Sequence, residues 1–264
     1  MSDIRSDQLR TFDTFEASVQ TAETKITINY AKTLVTLKSY ISSLYERYEV
    51  DGKLHYEDMA LYNRLLRLRE EVQGLTVSLY KTNNVVIADT LSNSYNTTFS
   101  ETNQAVQRAW GNNSLIGIIR DEEIQRAINN DISGLKWAER MGLHHDRVVA
   151  HIRETIVQGL HNGDSYRQMA QRLNEAVGKD VPNAIRIVRV ESYRVFAEAK
   201  KDRLDRVQGV DMTKEWITSK DEVVRGNHKP MHGVRVPYKN DFILPNSNQG
   251  FGPGMIGDPK DDIN

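Results

Sequence analysis

Two histidines near the C-terminus are spaced in a way that could bind a metal ion. His228 and His232 stand four residues apart, a spacing that puts two imidazoles on one side of a helix. Pro230 lies between them, however, and proline breaks a regular helix. Lys229 also stands where a His-Glu-x-x-His metalloprotease carries its catalytic Glu. We therefore expect these histidines to hold a loop in place by hydrogen bonds, with a metal site as the alternative.

The same region contains the parts of a loop network or of a hydrolytic site. Asp221, Arg225 and His228 lie close together in the sequence, and an Asp beside a His can orient the imidazole of a nucleophilic triad. No serine here stands in the Gly-x-Ser-x-Gly turn that exposes a catalytic nucleophile. The serines that could serve are Ser192, Ser219 and Ser247. The pattern favours a structural network, to which Asp221 or Asp258 could add a metal ligand in the alternative.

A carboxylate within a basic helix is the next candidate. Residues 186–206 contain seven Lys or Arg and four Asp or Glu. Glu191 falls near the apolar side of this predicted helix, where a buried Glu usually pairs with an Arg. Breaking such a buried pair costs about 3–5 kcal/mol. We expect an architectural role for Glu191, and a general acid or base is the alternative.

The cations of that helix could contact nucleic acid. The whole chain has 35 Lys or Arg against 36 Asp or Glu, so its net charge exerts no general attraction on DNA or on a membrane. Binding would therefore require a local patch, and aromatic residues are interleaved with the basic ones only weakly. The candidate phosphate contacts are Arg186, Arg189, Arg194, Lys200, Lys201 and Arg203.

Composition excludes several classes of protein. The chain has no cysteine, so disulfides and thiolate metal sites are excluded within these 264 residues. The polar, acidic start does not resemble a secretory signal, and no apolar run reaches the roughly 18 residues of a membrane span. No Walker loop, dinucleotide-binding glycine motif or zinc-finger spacing occurs. A cytoplasmic protein is the simplest interpretation.

The first part of the chain is predicted to form long helices. Residues 7–50 lack Pro and Gly and repeat apolar residues at steps of three and four, which predicts one helix of about 40 residues. A second helix is predicted from 57 to 73, with Gly74 interrupting or capping it, and a third as far as Trp110. The helices would pack as an intramolecular hairpin, or alternatively in an oligomer.

Shorter elements are predicted in the second part. A helix should end near Val177, where Gly178 stops it, and Pro182 should open the next helix. Beyond Gly209, residues 216–218 and 234–236 read as short strands in a loop-rich region. The predicted fold class is therefore mainly α with a small C-terminal β and loop-rich unit, an α+β arrangement with long N-terminal helices. We divide it into two domains, a helical arm (1–112) and a second domain (113–264) that comprises a helical core to about 208 and a β and loop unit (209–264).

An ordered set of short motifs resembles a known family. The helical part contributes Trp137-Ala138-Glu139-Arg140, the turn from Gly159 to Ser165, and Arg189-x-Glu191. The C-terminal part contributes Trp216-x-Thr218-Ser219-x-Asp221, Arg225, His228, Met231-His232-Gly233, Pro245, Gly252-Pro253 and Asp258-Pro259. Over about residues 135–264 this pattern resembles the head morphogenesis proteins of tailed phages, the Mu F and SPP1 gp7 type.

The resemblance implies a structural virion component and not an enzyme. Such a protein associates with the phage portal protein and other head subunits, assists DNA packaging or ejection, and is a candidate for binding double-stranded DNA. It would reside in the procapsid or head, and in the host cytoplasm during assembly, without contact with a membrane. Its loop network would comprise Glu191, Trp216, Asp221, Arg225, His228, Gly233 and Asp258.

Two alternatives remain open. No cofactor is expected, although family members usually continue past a residue like Asn264 into Cys-Arg-Cys, and two such cysteines would complete a zinc site with His228 and His232. A metal-assisted hydrolase or a toxin-like transferase is the alternative function, because related domains are fused to toxin modules. Its site would combine Glu191 with Asp221, Arg225 and the two histidines.

Overall fold

The computed structural model describes residues 4–110, 117–131, 134–218, 222 and 224–262, with Tyr62 and Pro259 described by their backbone alone. Helices dominate it, and short antiparallel strands follow near the C-terminus, which confirms the predicted class. The helices are α1 (Ile4–Tyr48), α2 (Tyr56–Ala60), α3 (Arg64–Trp110), α4 (Asp121–Asn129), α5 (Trp137–Asn162), α6 (Tyr166–Leu204) and α7 (Pro259–Asp262). The strands are β1 (Thr213–Glu215), β2 (Arg235–Pro237), β3 (Phe242–Ile243) and β4 (Gln249–Gly250).

The long first helix follows from its sequence pattern and is confirmed. Helix α1 runs for 45 residues, and its buried residues recur at steps of three, four and seven, as expected of a helix packed along one side. The apolar residues that follow these steps are Phe15, Val19, Ala22, Ile26, Tyr30, Leu37, Ile41 and Leu44, and Tyr45, Asp7 and Thr11 are also buried.

The predicted break at Gly74 is wrong. Helix α3 continues through this glycine, and the chain instead breaks at a single 3-10 turn (Leu61–Asn63), where Asn63 has a φ of 59°. A glycine inside a helix costs only about 1 kcal/mol relative to alanine. Burial of Val72 and Leu79 on either side outweighs that cost.

The predicted stop near Gly178 and restart at Pro182 are also wrong, because α6 is continuous with Pro182 inside it. A proline in a helix removes one hydrogen bond, and its ring crowds the carbonyl four residues earlier. That residue is Gly178, whose backbone has the most freedom to adjust. Buried Val177 and Ala184 anchor the helix on both sides of the defect.

The strands form two small antiparallel pairs. Strand β1 pairs with β2, with Lys214 opposite Val236, and β3 pairs with β4. The first predicted strand lies three residues too far along the chain, because β1 ends at Glu215. Beyond it, the amide of Thr218 bonds to the His232 side chain rather than to a strand.

The chain forms two compact units, each built from separated segments. The terminal unit comprises residues 1–20, 88–136 and 189–264, and the middle unit comprises residues 21–87 and 137–188. The boundaries fall inside α1, α3 and α6. The division proposed from the sequence, at residues 112 and 113, stays a prediction.

The core of the middle unit contains one buried polar contact between helices. The hydroxyl of Tyr30 on α1 lies 2.7 Å from Nε2 of His144 on α5. Only 2% of His144 is exposed, and burial lowers the pKa of its imidazole. The two side chains line a small cavity with Thr76, Asn83 and Val148, so the core of this unit contains several buried polar side chains among its aliphatic ones.

Within the described residues, no helix combines the length and the apolar character needed to cross a membrane.

Candidate functional site

A small apolar cluster organises the segment that follows α6, residues 209–262, which we call the tail segment. Trp216 is 1% exposed and packs with Met231, Phe242 and Leu244. Its backbone also bonds on both sides, since its amide donates to Val234 O (2.9 Å) and its carbonyl accepts from the amide of Gly233 (2.8 Å). Trp216 therefore connects the start of the tail segment to the turn before β2.

Gly233 and His228 shape the other side of this cluster. Gly233 has a φ of +81°, a conformation that costs other residues about 1–2 kcal/mol. The imidazole of His228 stands edge-on to the Trp216 ring, with centroids 5.2 Å apart. Burial lowers the pKa of His228, so the ring is held neutral against the indole.

Asp261 is the polar centre of the tail segment. Its carboxylate accepts hydrogen bonds from Nδ2 of Asn246 (2.9 Å) and of Asn248 (2.8 Å), and a longer one from Asn227 (3.5 Å). Nε2 of His228 lies 3.8 Å away. Asp261 is 2% exposed, and the amide donors lower its pKa because they stabilise the charged form.

Neighbouring acidic residues complete this network. Asp258 accepts from Nδ2 of Asn248 (2.9 Å). Asp262 accepts from the amides of Ile256 (3.0 Å) and Gly257 (2.6 Å), while burial raises its pKa. Helix α7 is thereby tied to three preceding loops.

Arg225 adds a positive charge near this network. Electrostatic interaction with Asp261 and Asp262 favours its charged form, although burial lowers the pKa of its guanidinium. The Arg225 carbonyl accepts the amides of His228 (2.9 Å) and Lys229 (3.0 Å). Both its charge and its backbone therefore help to fix the loop.

The two histidines have different partners. Nδ1 of His232 accepts the amide of Thr218 at 3.1 Å and lies 3.0 Å from its hydroxyl, whereas His228 faces Trp216 and Asp261. In the part of the chain that is described, no group of three or more His, Asp or Glu side chains is arranged to hold a metal ion. His232 makes hydrogen bonds of the kind that the first interpretation expects, whereas Nε2 of His228 makes none among the described residues. The role of the two histidines stays a prediction.

Gly250 marks the closest backbone approach in the tail segment. A Cβ added there would stand 2.1 Å from the carbonyl oxygen of Met255 and 2.7 Å from Cα of Ile256. The chain thus folds back onto itself immediately after β4.

Glu191 lies in helix α6 and is bonded there, outside the tail network. It is fully buried, and its carboxylate pairs with Nε of Arg194 at 3.0 Å. The Arg194 guanidinium also pairs with Glu198 and donates to the carbonyls of Ala127 and Ile128 at the end of α4. This buried pairing was expected from the helical pattern, and it joins α6 to α4.

The structure separates the six candidate cations of α6 by exposure. Arg194 and Arg203 are 4% and 0% exposed, and Nε of Arg203 donates to Asn103 at 2.7 Å. Neither guanidinium therefore faces solvent.

The other four cations retain some exposure. Arg189 pairs with Glu16 at 2.9 Å, and Lys201 pairs with Asp205. Lys200 is half-buried, and the protein around its ammonium lowers its pKa to about 8. Arg186, in the middle unit, is exposed.

Residues 150–264 match the family model described as Phage Mu protein F like protein. The matched range includes the second half of α5, all of α6 and the tail segment.

Similarity to one phage protein extends further. The minor head protein GP7 of Bacillus phage SPP1 is 25% identical over 244 residues, which cover 92% of this chain and 79% of GP7. The NAD(+)--arginine ADP-ribosyltransferase EFV of Enterococcus faecalis is 24% identical over 149 residues, or 56% of this chain and 30% of that protein. No solved structure shows a significant match.

Within this Mu F-like region, the sequence pointed to part of the loop network. Trp216, His228, Gly233 and Asp258 come together as described, and Arg225 adds its charge. Asp221 lies outside the described residues. The sequence motifs did not include the residues that carry most of the hydrogen bonds, namely Asn227, Asn246, Asn248, Asp261 and Asp262. Their one signal was an Asn and Asp content that no helical or strand period explained.

Proposed function

We propose that this chain is a phage minor head protein that associates with the portal during head assembly and assists DNA packaging or ejection. The observation that carries the proposal is the similarity to the minor head protein GP7 over 92% of the chain, because it includes the long helices as well as the tail segment. The helices would engage the portal or other head subunits. The protein would enter the virion from the host cytoplasm.

Action by binding, without catalysis, is part of the proposal. The bonding of the polar side chains supports it, since an acid or base must reach its substrate. Glu191 is fully buried in an ion pair, Asp261 is held by amides, and Nδ1 of His232 is occupied by a backbone amide. A rigid loop bonded in this way suits a docking surface.

Direct contact with double-stranded DNA is a separate part. It relies on Arg186 in the middle unit and on Arg189, Lys200 and Lys201 in the terminal unit, because Arg194 and Arg203 are buried. Each phosphate contact should contribute about 0.9 to the slope of log affinity against log salt. A mobility-shift series from low to high salt tests this, and an affinity that does not change with salt would exclude it.

A transferase is the second candidate, and the similarity to the ADP-ribosyltransferase EFV is the observation that favours it. The full chain incubated with NAD⁺ and an arginine-containing acceptor would then release nicotinamide. We expect no release above a buffer control. Release well above the buffer control, lost when the chain is heat-denatured, would establish the enzyme instead.

The main proposal is tested by assembly. The chain is co-expressed with portal, scaffold and major capsid proteins of a phage that carries it, and procapsids are purified by sedimentation. We expect a few copies per procapsid and co-purification with isolated portal. Procapsids that form with portal but without this chain would contradict the proposal.

A further inference from the structure

The small cavity of the middle unit lies where α1, α3 and α5 meet. Tyr30 of α1, Asn83 of α3, and His144 and His145 of α5 all line it. Its volume, taken as the space open to the centre of a water molecule, is about 10 Å³. A single buried water needs about that much room. The cavity can therefore hold one very small molecule and nothing larger.

Three nitrogen atoms of these lining side chains have no partner within the described part of the chain. Nδ2 of Asn83, Nδ1 of His144 and Nε2 of His145 are buried, and none of them forms a hydrogen bond with a described residue. Asn83 is 1% exposed and His144 is 2% exposed. Leaving a buried polar atom without a hydrogen bond reduces stability. Three such atoms on side chains around one cavity indicate a ligand that bonds to all of them.

The neighbours of two of these side chains define what the ligand must offer. Oδ1 of Asn83 accepts Nδ2 of Asn29 at 2.9 Å, so the other end of the Asn83 amide is Nδ2, which can only donate. The carboxylate of Asp146 lies 3.5 Å from Nδ1 of His145. In the neutral ring this favours the proton on Nδ1 and leaves Nε2 as an acceptor. The ligand must therefore both accept and donate hydrogen bonds.

Such a ligand would also complete a chain of hydrogen bonds through three helices. The hydroxyl of Tyr30 lies 2.7 Å from Nε2 of His144, so Nδ1 is the ring nitrogen that remains for the ligand. Asn29, the residue before Tyr30 on α1, bonds to Asn83 on α3. The chain would run from α1 to α5, through the ligand to α3, and back to α1. A fully bonded network of this kind specifies one packing arrangement of the helices.

We propose that the cavity binds one water molecule, which bridges Nδ2 of Asn83, Nδ1 of His144 and Nε2 of His145. Water fits the volume, and about three hydrogen bonds are usual for a buried water. A metal or ammonium cation cannot accept the Asn83 amide, and a halide cannot donate to His145. The water thereby fixes how α1, α3 and α5 pack in the middle unit. The inference goes beyond the proposed function and does not depend on it.

A high-resolution crystal structure of the full chain provides the first test. We expect an ordered solvent peak within hydrogen-bonding distance, about 2.7–3.2 Å, of all three nitrogen atoms. A cavity without such a peak would overturn the inference. This test uses the unaltered chain, so it holds even if a variant of the cavity fails to fold.

A double variant tests the same site in solution. Asn83→Leu with His145→Phe replaces polar lining groups by apolar groups of similar shape, and apolar cavities stay dry. Oxygen-17 relaxation dispersion of water counts the long-lived internal waters of the purified chain. We expect one fewer in the double variant than in the parent, and an unchanged number in the control His161→Phe, an exposed histidine of α5. Equal numbers in the parent and a double variant that circular dichroism shows to be folded would overturn the site.

The response to salt distinguishes water from an ion. The parent chain is titrated with ammonium chloride and, separately, with potassium chloride, while the side-chain amide resonances of Asn83 are followed by NMR. Resonances that do not shift with either salt support a bound water. A saturable shift with either salt would show that the cavity binds an ion, and the inference would be wrong.

Discussion

The middle unit and the tail segment differ in what holds them together. In the middle unit, buried aliphatic side chains from long helices carry most of the packing, and His144 bonded to Tyr30 is a polar contact inside that core. In the tail segment, the apolar cluster has four buried members, and amide bonds to Asp261 hold the loops. Stability is thus shared among many side chains in one region and concentrated in a few in the other.

Removing the central tryptophan should give the largest effect. Trp216→Ala is expected to cost about 3–5 kcal/mol in the free energy of unfolding, because no second large side chain can fill the space. Denaturant titration measures it. Ile217→Ala, at a neighbouring position that is 41% exposed, should change stability by less than about 0.5 kcal/mol. If Trp216→Ala loses as little stability as this control, the stability of the tail segment does not depend on a few side chains as described.

The carboxylate of Asp261 provides the next test. Asp261→Asn replaces charge-assisted hydrogen bonds by neutral ones and should cost about 1.5–3 kcal/mol at pH 7. Because the folded pKa of Asp261 is lowered, its stabilisation is present above the ordinary Asp value and is lost as pH falls through the folded value. The difference between variant and parent should therefore shrink below about pH 4. A deficit independent of pH, or an equal deficit for the exposed Asp211→Asn, would contradict the assigned role.

Buried His144 and half-buried His228 allow the two regions to be compared by pH. Burial lowers the pKa of both His144 and His228, so the unfolded chain binds the proton more readily. Stability should fall as pH decreases below about 6.5, by at most about 1.4 kcal/mol per pH unit for each histidine. His144→Gln and His228→Gln should each flatten this slope in urea titrations at pH 5–8, whereas replacing the exposed His55 should not. A slope that persists in both variants would exclude these histidines as its cause.

Glycine substitutions should give the smallest effects, with opposite signs in the two regions. Gly74→Ala in α3 has free space around the added methyl and should stabilise the protein by about 0.5–1 kcal/mol. Gly233→Ala in the tail segment must adopt a φ of +81° and should destabilise it by about 1–2 kcal/mol. Thermal melts of the two variants measure the change in melting temperature. Changes of the same sign in both would show that backbone conformation does not distinguish the two sites.

Helices with a regular apolar period could be predicted from the sequence. Helix breaks at glycine or proline, and contacts between residues far apart in the sequence, could not. Helix α1 was predictable because no Gly or Pro interrupts its apolar period. Gly74 and Pro182 misled the prediction because packing of buried neighbours outweighs a local cost of one to a few kcal/mol. Local propensity contains no information about which helices will pack around such a residue.

The candidate site could likewise be predicted only where a local sequence pattern determines it. Glu191 was predictable as a buried, paired carboxylate because a helical period placed it beside apolar residues. The six cations of α6 are alike in the sequence, and Arg194 and Arg203 differ from the rest only because α4 and α3 cover them. The Asp261 network joins loops far apart in the sequence through asparagine amides, and no spacing rule connects them.

The fold-back after β4 leaves a signature that genetics could detect without any structure. At position 250 even a methyl group would collide with the backbone around Met255, so the obstacle is crowding rather than an unusual torsion angle. A saturation library of this gene, selected for assembled particles, should retain glycine there and lose every other codon. At Gly233, where strain is the obstacle, asparagine should survive as a rare second choice.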